Sequence, residues 1–372
     1  MGCDSSFCGE IDEIPGIYVD NFEKYDTQAY FLSHAHTDHT VGLLNTVRYG
    51  DNKNSEFANF LAKKRISIYM SDVTAKIFEH EFSDLAPFVK PLKMGEHNIL
   101  TLPSTEKYEE VHLGVTLIPA GHCLGSAMIL FQTNRKTVLY TGDFRYTQND
   151  VKKIRDLHNS NNRNEPIHID TIYLDTTFLT IDKEDLPRRS ESIDYMLREI
   201  KYWLERGDEF KVALETPAKY GYECVFNDIF EKLGRQVYVV DAKWSLYSKM
   251  KALPGVTNDK NLIDIHNCAF NSSDHRNCEI PFRHKYIFLT IRLSAMKWNG
   301  YKIEDIPLEK IAGNKMSVCF STHSSRSELI YFVNHFQPNK VIGFPNEYVL
   351  SESTRECVDV VLSPVKKRRV KL

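Results

Sequence analysis

Four side chains that can bind a metal lie within six residues near the start of the chain. Residues 34–39 read His-Ala-His-Thr-Asp-His and follow the apolar residues 29–32. Imidazole nitrogens and carboxylate oxygens are the ligands that catalytic zinc uses when it keeps one position open for water. A histidine-rich surface loop is the alternative, because the chain contains 14 His residues. The position directly after a strand-like segment favours a metal site.

This motif divides into two pairs of candidate ligands. His34 and His36 alternate on an extended segment, so both can face one side of the chain. Asp38 and His39 follow immediately and can face a second position. The asymmetry predicts two neighbouring metals, one bound by each pair.

Two later residues extend this prediction. His122 lies in the turn-like sequence Pro-Ala-Gly-His-Cys-Leu-Gly-Ser, and Asp143 follows the apolar run that ends at Thr141. A carboxylate at position 143 can bridge two metals. Taken alone, each is more typical of a turn or a cap, but together with the first motif they predict a binuclear hydrolytic centre.

The elements that must position these residues alternate between strands and helices. Strand-like segments occur at residues 16–20, 29–33, 66–71, 111–119, 127–131, 137–141 and 171–175. Helical patterns occur at 55–64, 71–79, 188–205 and 222–233, while residues 211–215 and 236–241 are predicted strands. Residues 253–284 are rich in polar residues and are predicted to be loop-like. Interleaved strands and helices predict an α/β layered fold.

Composition restricts the class of protein. A chain of 372 residues has room for about two domains. Its net charge of −3 gives no global basicity, so nucleic-acid binding would need a local patch. No apolar run approaches the roughly 18 residues of a membrane span, so no membrane association is expected. Eight scattered Cys residues are typical of a reducing compartment.

The last ten residues, 363–372, form a compact basic tail with the sequence Ser-Pro-Val-Lys-Lys-Arg-Arg-Val-Lys-Leu. Such a run is typical of a nuclear import signal or of a nucleic-acid contact. A solvated terminus without a role is the alternative.

The motifs together resemble the metallo-β-lactamase fold, in which His-x-His-x-Asp-His precedes a Gly-flanked His and a strand-terminal Asp. Asp20 matches the early-strand Asp of that fold, where it lies beside the metals. The segments Tyr-Leu-Asp-Thr-Thr-Phe around Asp175 and Cys-Phe-Ser-Thr-His-Ser-Ser around His323 resemble motifs of the β-CASP nucleases. In those enzymes a second domain is inserted into the hydrolase. The likeness covers nearly all of residues 14–345.

The resemblance implies an αββα sandwich of the metallo-β-lactamase type with an inserted α/β β-CASP domain. The hydrolase domain is expected at residues 1–176 and 316–362, the insertion at 177–315 and the basic tail at 363–372.

It also implies a nuclear, metal-dependent DNA nuclease that hydrolyses phosphodiester bonds. The expected activity is endonucleolytic opening of hairpins and trimming of overhangs in DNA double-strand-break repair by end joining, with 5′–3′ exonuclease activity in addition. The expected partners are DNA ends and an end-joining kinase and ligase assembly. A 5′ exonuclease of telomere or crosslink repair and an RNA endonuclease of the same family are the alternatives. RNA-cleaving members carry a late-strand His, and Phe344 occupies that region here, which favours DNA.

Specific roles follow from the same resemblance. His34, His36, His122 and Asp143 are expected to hold a tight zinc ion. Asp38, His39 and Asp143 are expected to hold a weaker one, which Mg²⁺ or Mn²⁺ could replace. Asp38 also orients water, and His323 acts as a general acid or orients phosphate, with Asp175 fixing its tautomer. The expected phosphate or DNA contacts are Ser321, Ser324, Lys219 and Arg326.

A second, structural zinc site is a further expectation. His266, Cys268 and Cys278 match three of four positions of a zinc site in the inserted domain of similar nucleases, but Tyr238 stands where the first His is expected. His275 is an alternative fourth ligand. The other interpretation is that these are unrelated polar residues of a loop.

Overall fold

The computed structural model describes residues 7–162, 165–250, 253–269, 283–311 and 313–349, and of residues 269 and 283 the backbone alone. Cys278, His275 and the basic tail lie outside these ranges. None of the helices within them is long and apolar enough to cross a membrane.

The first half of the chain forms most of two sheets. Its strands are β1 (Ile17–Val19), β2 (Ala29–Phe31), β3 (Ile68–Ser71), β4 (Val89–Leu92), β5 (His97–Leu102), β6 (Val111–Pro119), β7 (Ala127–Gln132), β8 (Thr137–Tyr140) and β9 (Thr171–Asp175). The first four pair in parallel in the order β1-β2-β3-β4, and the other five belong to a sheet in the order β9-β8-β7-β6-β5. The helices of this half are α1 (Thr46–Tyr49), α2 (Ser55–Lys64), α3 (Asp72–Glu81) and α4 (Gln148–Val151).

The alternation of side chains along these strands creates three layers of apolar packing. Phe31 and Leu117 lie in the core between the two sheets. Their neighbours in sequence point the other way: Tyr30 packs with α2 and α3, and Ile118 packs on the opposite outer face.

The middle of the chain forms a third sheet, here called the central sheet, whose buried cluster also includes Ala35 and Ile77 of the first half. Its strands are β10 (Phe210–Thr216), β11 (Val237–Tyr238), β12 (Val256–Thr257), β13 (Ile265–Ala269), β14 (Ile287–Leu293), β15 (Leu308–Ile311) and β16 (Lys315–Val318). Their order is β12-β11-β13-β10-β14-β16-β15, and all pairs are parallel except β15 with β16. The helices are α5 (Arg189–Leu204), α6 (Glu223–Leu233) and α7 (Asp241–Tyr247). Side chains of α5 and α6 share one buried cluster with β10 and β14.

The chain then returns to the first half. Helix α8 (Arg326–Phe336) packs on the outer face of the sheet that contains β9, and β17 (Lys340–Phe344) pairs in parallel with β9 to complete six strands. Helices therefore cover the outer faces of two packed sheets, which confirms the predicted αββα sandwich with an additional α/β sheet.

Most predicted elements are confirmed, with bounds that differ by a few residues. The loop prediction for residues 253–284 was wrong where β12 and β13 form. The strand predicted over 236–241 is shorter, because α7 begins at Asp241.

Candidate metal centre

Two local backbone conformations position the side chains of the His-Ala-His-Thr-Asp-His motif. His34 and His36 lie on the extended segment that follows β2, with His36 at φ −78° and ψ 154°. Asp38 and His39 lie on a single 3₁₀ turn, Thr37–His39. The change from extended chain to turn gives the two pairs of side chains different directions, as the spacing predicted.

His122 and Asp143 approach from two other loops. His122 lies between β6 and β7, and Asp143 follows β8 after Gly142. Gly142 has φ +49°, and a Cβ there would lie 2.7 Å from the Ser33 hydroxyl oxygen. Because glycine alone fits this close approach without strain, Asp143 can pack against the segment that carries His34.

Four donor atoms surround a first metal position. Nε2 of His34 and Nε2 of His122 each lie 3.1 Å from Nδ1 of His36. Oδ2 of Asp143 lies 3.6 Å from Nε2 of His34 and 3.4 Å from Nε2 of His122. Zinc bonds of roughly 2.0–2.1 Å in a tetrahedron would place the donors about 3.3–3.4 Å apart. The donor set and its spacing therefore fit a divalent metal such as zinc.

A second position lies on the other oxygen of the same carboxylate. Nε2 of His39 lies 3.3 Å from Oδ1 of Asp143 and 3.8 Å from Oδ2 of Asp38. Asp143 therefore faces both positions, one with each oxygen. The side chain of Asp38 is 49% exposed, whereas that of His34 is fully buried. The second position has fewer ligands and opens to solvent.

Each imidazole is also held through its other nitrogen. His34 Nδ1 lies 3.0 Å from the Ser33 hydroxyl, and His39 Nδ1 lies 2.7 Å from Asp20. Asp20 accepts three further hydrogen bonds, from the Ser33 backbone N–H, the Ser33 hydroxyl and the Tyr140 hydroxyl. Such outer partners fix the tautomer and ring orientation of metal-binding histidines.

Two of these outer partners come from outside the first half of the chain. His36 Nε2 lies 3.3 Å from the backbone carbonyl of Tyr220, which follows β10. His122 Nδ1 lies 3.1 Å from the carbonyl of Thr322, which follows β16. The loops that follow strands of the central sheet therefore help to hold His36 and His122, two of the metal-capable side chains.

Burial and charge set the protonation of the cluster. Burial lowers the pKa of His34 and of His122 well below the ordinary value, which keeps their lone pairs available. Burial also disfavours charge on His39, but the carboxylates of Asp143 and Asp20 outweigh it and raise its pKa. Burial raises the pKa of Asp143, yet His39, His323 and His122 together hold it well below the usual range.

His323 lies beside the first candidate position and contacts Asp175, the carboxylate predicted to fix its tautomer. Its Nδ1 is 2.8 Å from Oδ2 of Asp175, and its Nε2 is 3.9 Å from Oδ2 of Asp143. Burial lowers the pKa of His323, but the charges of Asp175 and Asp143 prevail and raise it to about 9. Asp175 fixes the Nδ1 side of the ring, so Nε2 is directed into the cleft.

The carboxyl ends of three adjacent parallel strands form the opposite wall. The loops after β10, β14 and β16 contribute Tyr220, Met296 and His323 to one cavity of about 710 Å³ that also contains the metal-capable residues. Ligands commonly bind at the carboxyl ends of parallel strands. The cleft therefore lies between the αββα sandwich and the central sheet.

The four predicted phosphate contacts have different surroundings. Ser321 donates to the carbonyl of His323 and accepts from its N–H, and Ser324 donates to the carbonyl of Phe144. Lys219 is 53% exposed, lines the cleft and pairs with Glu81. Arg326 pairs with Glu184 and does not line the cavity. Their contact with phosphate stays a prediction.

The candidate structural zinc residues lie on the central sheet. His266 Nε2 is 2.8 Å from Cys268 Sγ on β13, and Tyr238 of β11 is paired opposite His266. Cys278 lies outside the described residues, so the predicted third ligand is not placed.

Sequence reasoning missed the outer partners Ser33, Tyr220 and Thr322, as well as Glu81. Tyr220 and Thr322 act through backbone carbonyls, which every residue carries, so no residue type marks them. Glu81 accepts hydrogen bonds from the Tyr220 hydroxyl, at 2.5 Å, and from Lys219. Glu81 is the last residue of α3, and the amphipathic pattern of that helix does not indicate this contact.

Comparisons with known proteins agree with the geometry. A family model described as DNA repair metallo-beta-lactamase matches residues 251–346. The chain is 31% identical over 355 residues to protein artemis of Rattus norvegicus, covering 92% of this chain and 49% of that protein. It is 30% identical over 371 residues to protein artemis of Homo sapiens, covering 96% and 51%. It is 27% identical over 341 residues to 5′ exonuclease Apollo of Rattus norvegicus, covering 90% and 54%. The chain thus spans about half the length of the curated relatives it matches.

Proposed function

Because this chain belongs to the metallo-β-lactamase/β-CASP nuclease family, we propose that its cleft hydrolyses phosphodiester bonds of DNA in a metal-dependent reaction. The observation that carries the proposal is the shared carboxylate of Asp143, whose two oxygens face two separate groups of ligands. The family uses a divalent metal. Zinc is proposed at the histidine-rich position, while the oxygen-rich set of Asp38, His39 and Asp143 also suits Mg²⁺ or Mn²⁺.

When bound there, a divalent metal supplies Lewis acidity that activates water and offsets the negative charge of the phosphate. The half-exposed carboxylate of Asp38 orients the water and accepts its proton as the oxygen attacks phosphorus. The bond between phosphorus and the 3′ oxygen breaks. His323 donates the proton on Nε2 to that oxygen, while Asp175 holds the Nδ1 side of the ring.

DNA is proposed as the substrate rather than RNA. Phe344 lines the cleft and stacks on Tyr140, with ring centroids 5.3 Å apart, in the region where RNA-cleaving members carry a His. Family likeness supports endonucleolytic opening of hairpins and trimming of overhangs during end joining. The Apollo relatives carry the name 5′ exonuclease, so stepwise digestion from a 5′ end is the second candidate.

Domain limits, location and partners complete the proposal. We place the hydrolase domain at 1–176 and 316–362 and the insertion at 177–315. Strands β10–β15 of the separate sheet support the insertion, whereas β16 (Lys315–Val318) pairs with that sheet but extends three residues beyond the proposed limit. Nuclear location is supported by the basic tail and by the DNA-repair relatives. An end-joining kinase and ligase assembly as partner rests on family likeness alone.

One set of variants tests the activity. Purified protein with zinc, Mg²⁺ or Mn²⁺ is incubated with 5′-labelled single strands, hairpins, overhang duplexes and matched RNA. His34→Ala should lose both zinc and cleavage. His323→Ala should keep zinc but cleave about 10²–10⁴-fold more slowly, which is the range for one general acid. His112→Ala, which replaces an exposed histidine of β6, is the matched control.

Product lengths separate internal cuts from stepwise digestion. Preferential cleavage of RNA would overturn the choice of DNA. Undiminished cleavage by His34→Ala would overturn the metal-dependent reaction itself.

A further inference from the structure

A buried lysine holds one loop of the cleft wall in place. Lys183 is 4% exposed, and its ammonium donates to the carbonyls of Ala295 and Met296 at 2.9 and 2.8 Å and to Oδ1 of Asn299 at 2.6 Å. These three acceptors are neutral oxygens. Burying a cation among neutral acceptors costs free energy, so this arrangement is an expensive way to fix a loop.

The loop is fixed at further points. The N–H of Met296 donates to the Ser294 hydroxyl at 3.2 Å, and the N–H of Trp298 donates to the carbonyl of Ala295 at 3.1 Å. The side chain of Ala295 is buried in a small apolar cluster with Phe178. The backbone on both sides of Met296 is therefore held from several directions.

Met296 nevertheless presents its side chain to solvent. It is 69% exposed, although it lines the same cavity as the metal-capable residues. Its loop follows β14, which lies between β10 and β16, so it sits between the loops that carry Tyr220 and His323. The ring of Phe178, beneath this loop, meets the ring of His323 edge-on at 5.6 Å.

The cleft thus combines a polar floor with an uncharged, projecting side chain on its wall. The polar floor suits a phosphate, but the thioether of Met296 has neither a positive charge nor a hydrogen-bond donor with which to bind one. Methionine is polarizable and adapts to the face of an aromatic partner of any identity. Every nucleobase has such a face, and contacts with it tolerate sequence. An unpaired base next to the scissile phosphate would meet this side chain because the cavity is continuous.

We propose that Met296 is a specificity-determining residue that packs against an unpaired nucleobase flanking the phosphate to be cleaved, and that Lys183 is the positioning residue that holds it there. The inference rests on the proposed nuclease function. It implies that the enzyme requires an unstacked base at the cleavage point.

The test pairs protein variants with substrates that lack one base. Met296→Ala, Met296→Leu and Lys183→Met are compared with the parent on a single strand and on matched strands with one abasic position next to the cut. Met296→Ala should lower kcat/KM on the intact strand about tenfold, toward the lower end of the range for one base stacked on an aromatic side chain. Met296→Leu should stay within about twofold, because leucine keeps most of the apolar volume.

On the strand that lacks the contacted base, the parent and Met296→Ala should cleave equally. Lys183→Met should follow Met296→Ala without losing zinc, and Met296→Ala alone carries the test if Lys183→Met does not fold. Ile99→Ala, at an exposed apolar residue of β5, controls for loss of surface apolar area.

Three outcomes overturn the inference in distinguishable ways. An unchanged rate for Met296→Ala, or an equal loss on intact and abasic strands, would rule out the contact between Met296 and a base. Neither result would contradict the nuclease function. The equal loss would instead point to a protein or backbone contact at Met296. A parent that cleaves none of the strands overturns the proposed function, and the inference falls with it.

Discussion

The cleft and the central sheet both bring metal-capable side chains close together, but among the described residues the cleft alone gathers such groups from separate segments. In the cleft, Asp143 joins histidines that are far apart in the chain. On β13, His266 and Cys268 are two residues apart, and no third metal-capable group joins them among the residues that the structure describes. Among the residues that the structure describes, the pair on β13 thus draws its donors from a single strand. The candidate metal centre draws its donors from loops that converge from different elements.

The largest effect is expected from removing the carboxylate of Asp143, which both candidate metal positions share. Asp143→Ala removes an oxygen from each group, so zinc content should fall and cleavage should drop by more than the 10–100-fold typical of an outer partner. Metal analysis and cleavage rates measure both. Glu231→Ala, an exposed carboxylate of α6, should behave as the parent. Retained zinc in Asp143→Ala would remove the distinction between the cleft and the β13 pair.

The next test loosens the second position without removing a ligand. Asp20→Asn keeps the shape of the side chain but weakens its hold on His39 Nδ1. We expect roughly 10–100-fold weaker binding of the second metal and a matching loss of cleavage at low metal concentration. Added Mn²⁺ should restore much of the rate. A loss of the tighter zinc instead would show that Asp20 supports the first position through Ser33.

A smaller effect is expected at the contact between the two halves of the cleft. Tyr220→Phe removes the hydroxyl that donates to buried Glu81, a hydrogen bond to a charge worth about 1.5–3 kcal/mol. The free energy of unfolding should decrease by about that amount. Zinc affinity should also weaken, because a less firmly held Tyr220 positions its backbone carbonyl less well against His36. Denaturant unfolding and chelator competition measure these two quantities. Tyr222→Phe, whose hydroxyl is 3.5 Å from its acceptor, is the matched control.

The smallest effect on catalysis is expected from adding a ligand beside the pair on β13. Tyr238→His places a second imidazole opposite His266, next to the thiol of Cys268, so zinc content should rise toward one additional ion per chain. Cleavage should remain unchanged, because β11 does not line the cleft. Cys268→Ser in the Tyr238→His background should abolish the gain. A parent that already holds this additional zinc would show that His266 and Cys268 find further ligands in the natural chain.

The fold could be predicted from the sequence where hydrophobic periodicity is strong. It could not be predicted where pairing with adjacent strands determines the structure of a segment. Helix α2 and strand β6 both have the predicted bounds, and Leu113, Val115 and Leu117 of β6 recur at every second position in the core between the sheets. Strand β4 contains Pro91 and lies at the edge of its sheet, where a missing N–H is tolerated, so its sequence does not resemble a strand. Strand β13 reads Ile-His-Asn-Cys-Ala, and it forms because β10 and β11 pair with it on both sides.

The sequence by itself predicted the candidate ligands and their grouping, because imidazole and carboxylate chemistry belongs to residue types and the change from extended chain to turn is local. Tertiary structure alone decided which oxygen of Asp143 faces which position, which carbonyls hold His36 and His122, and that Met296 projects into the cleft. Backbone carbonyls are the same in every residue, and the direction of a loop depends on strands that pair across the whole chain. The His-Ala-His-Thr-Asp-His motif predicts a metal, and the central sheet provides one wall of the cleft that the motif faces.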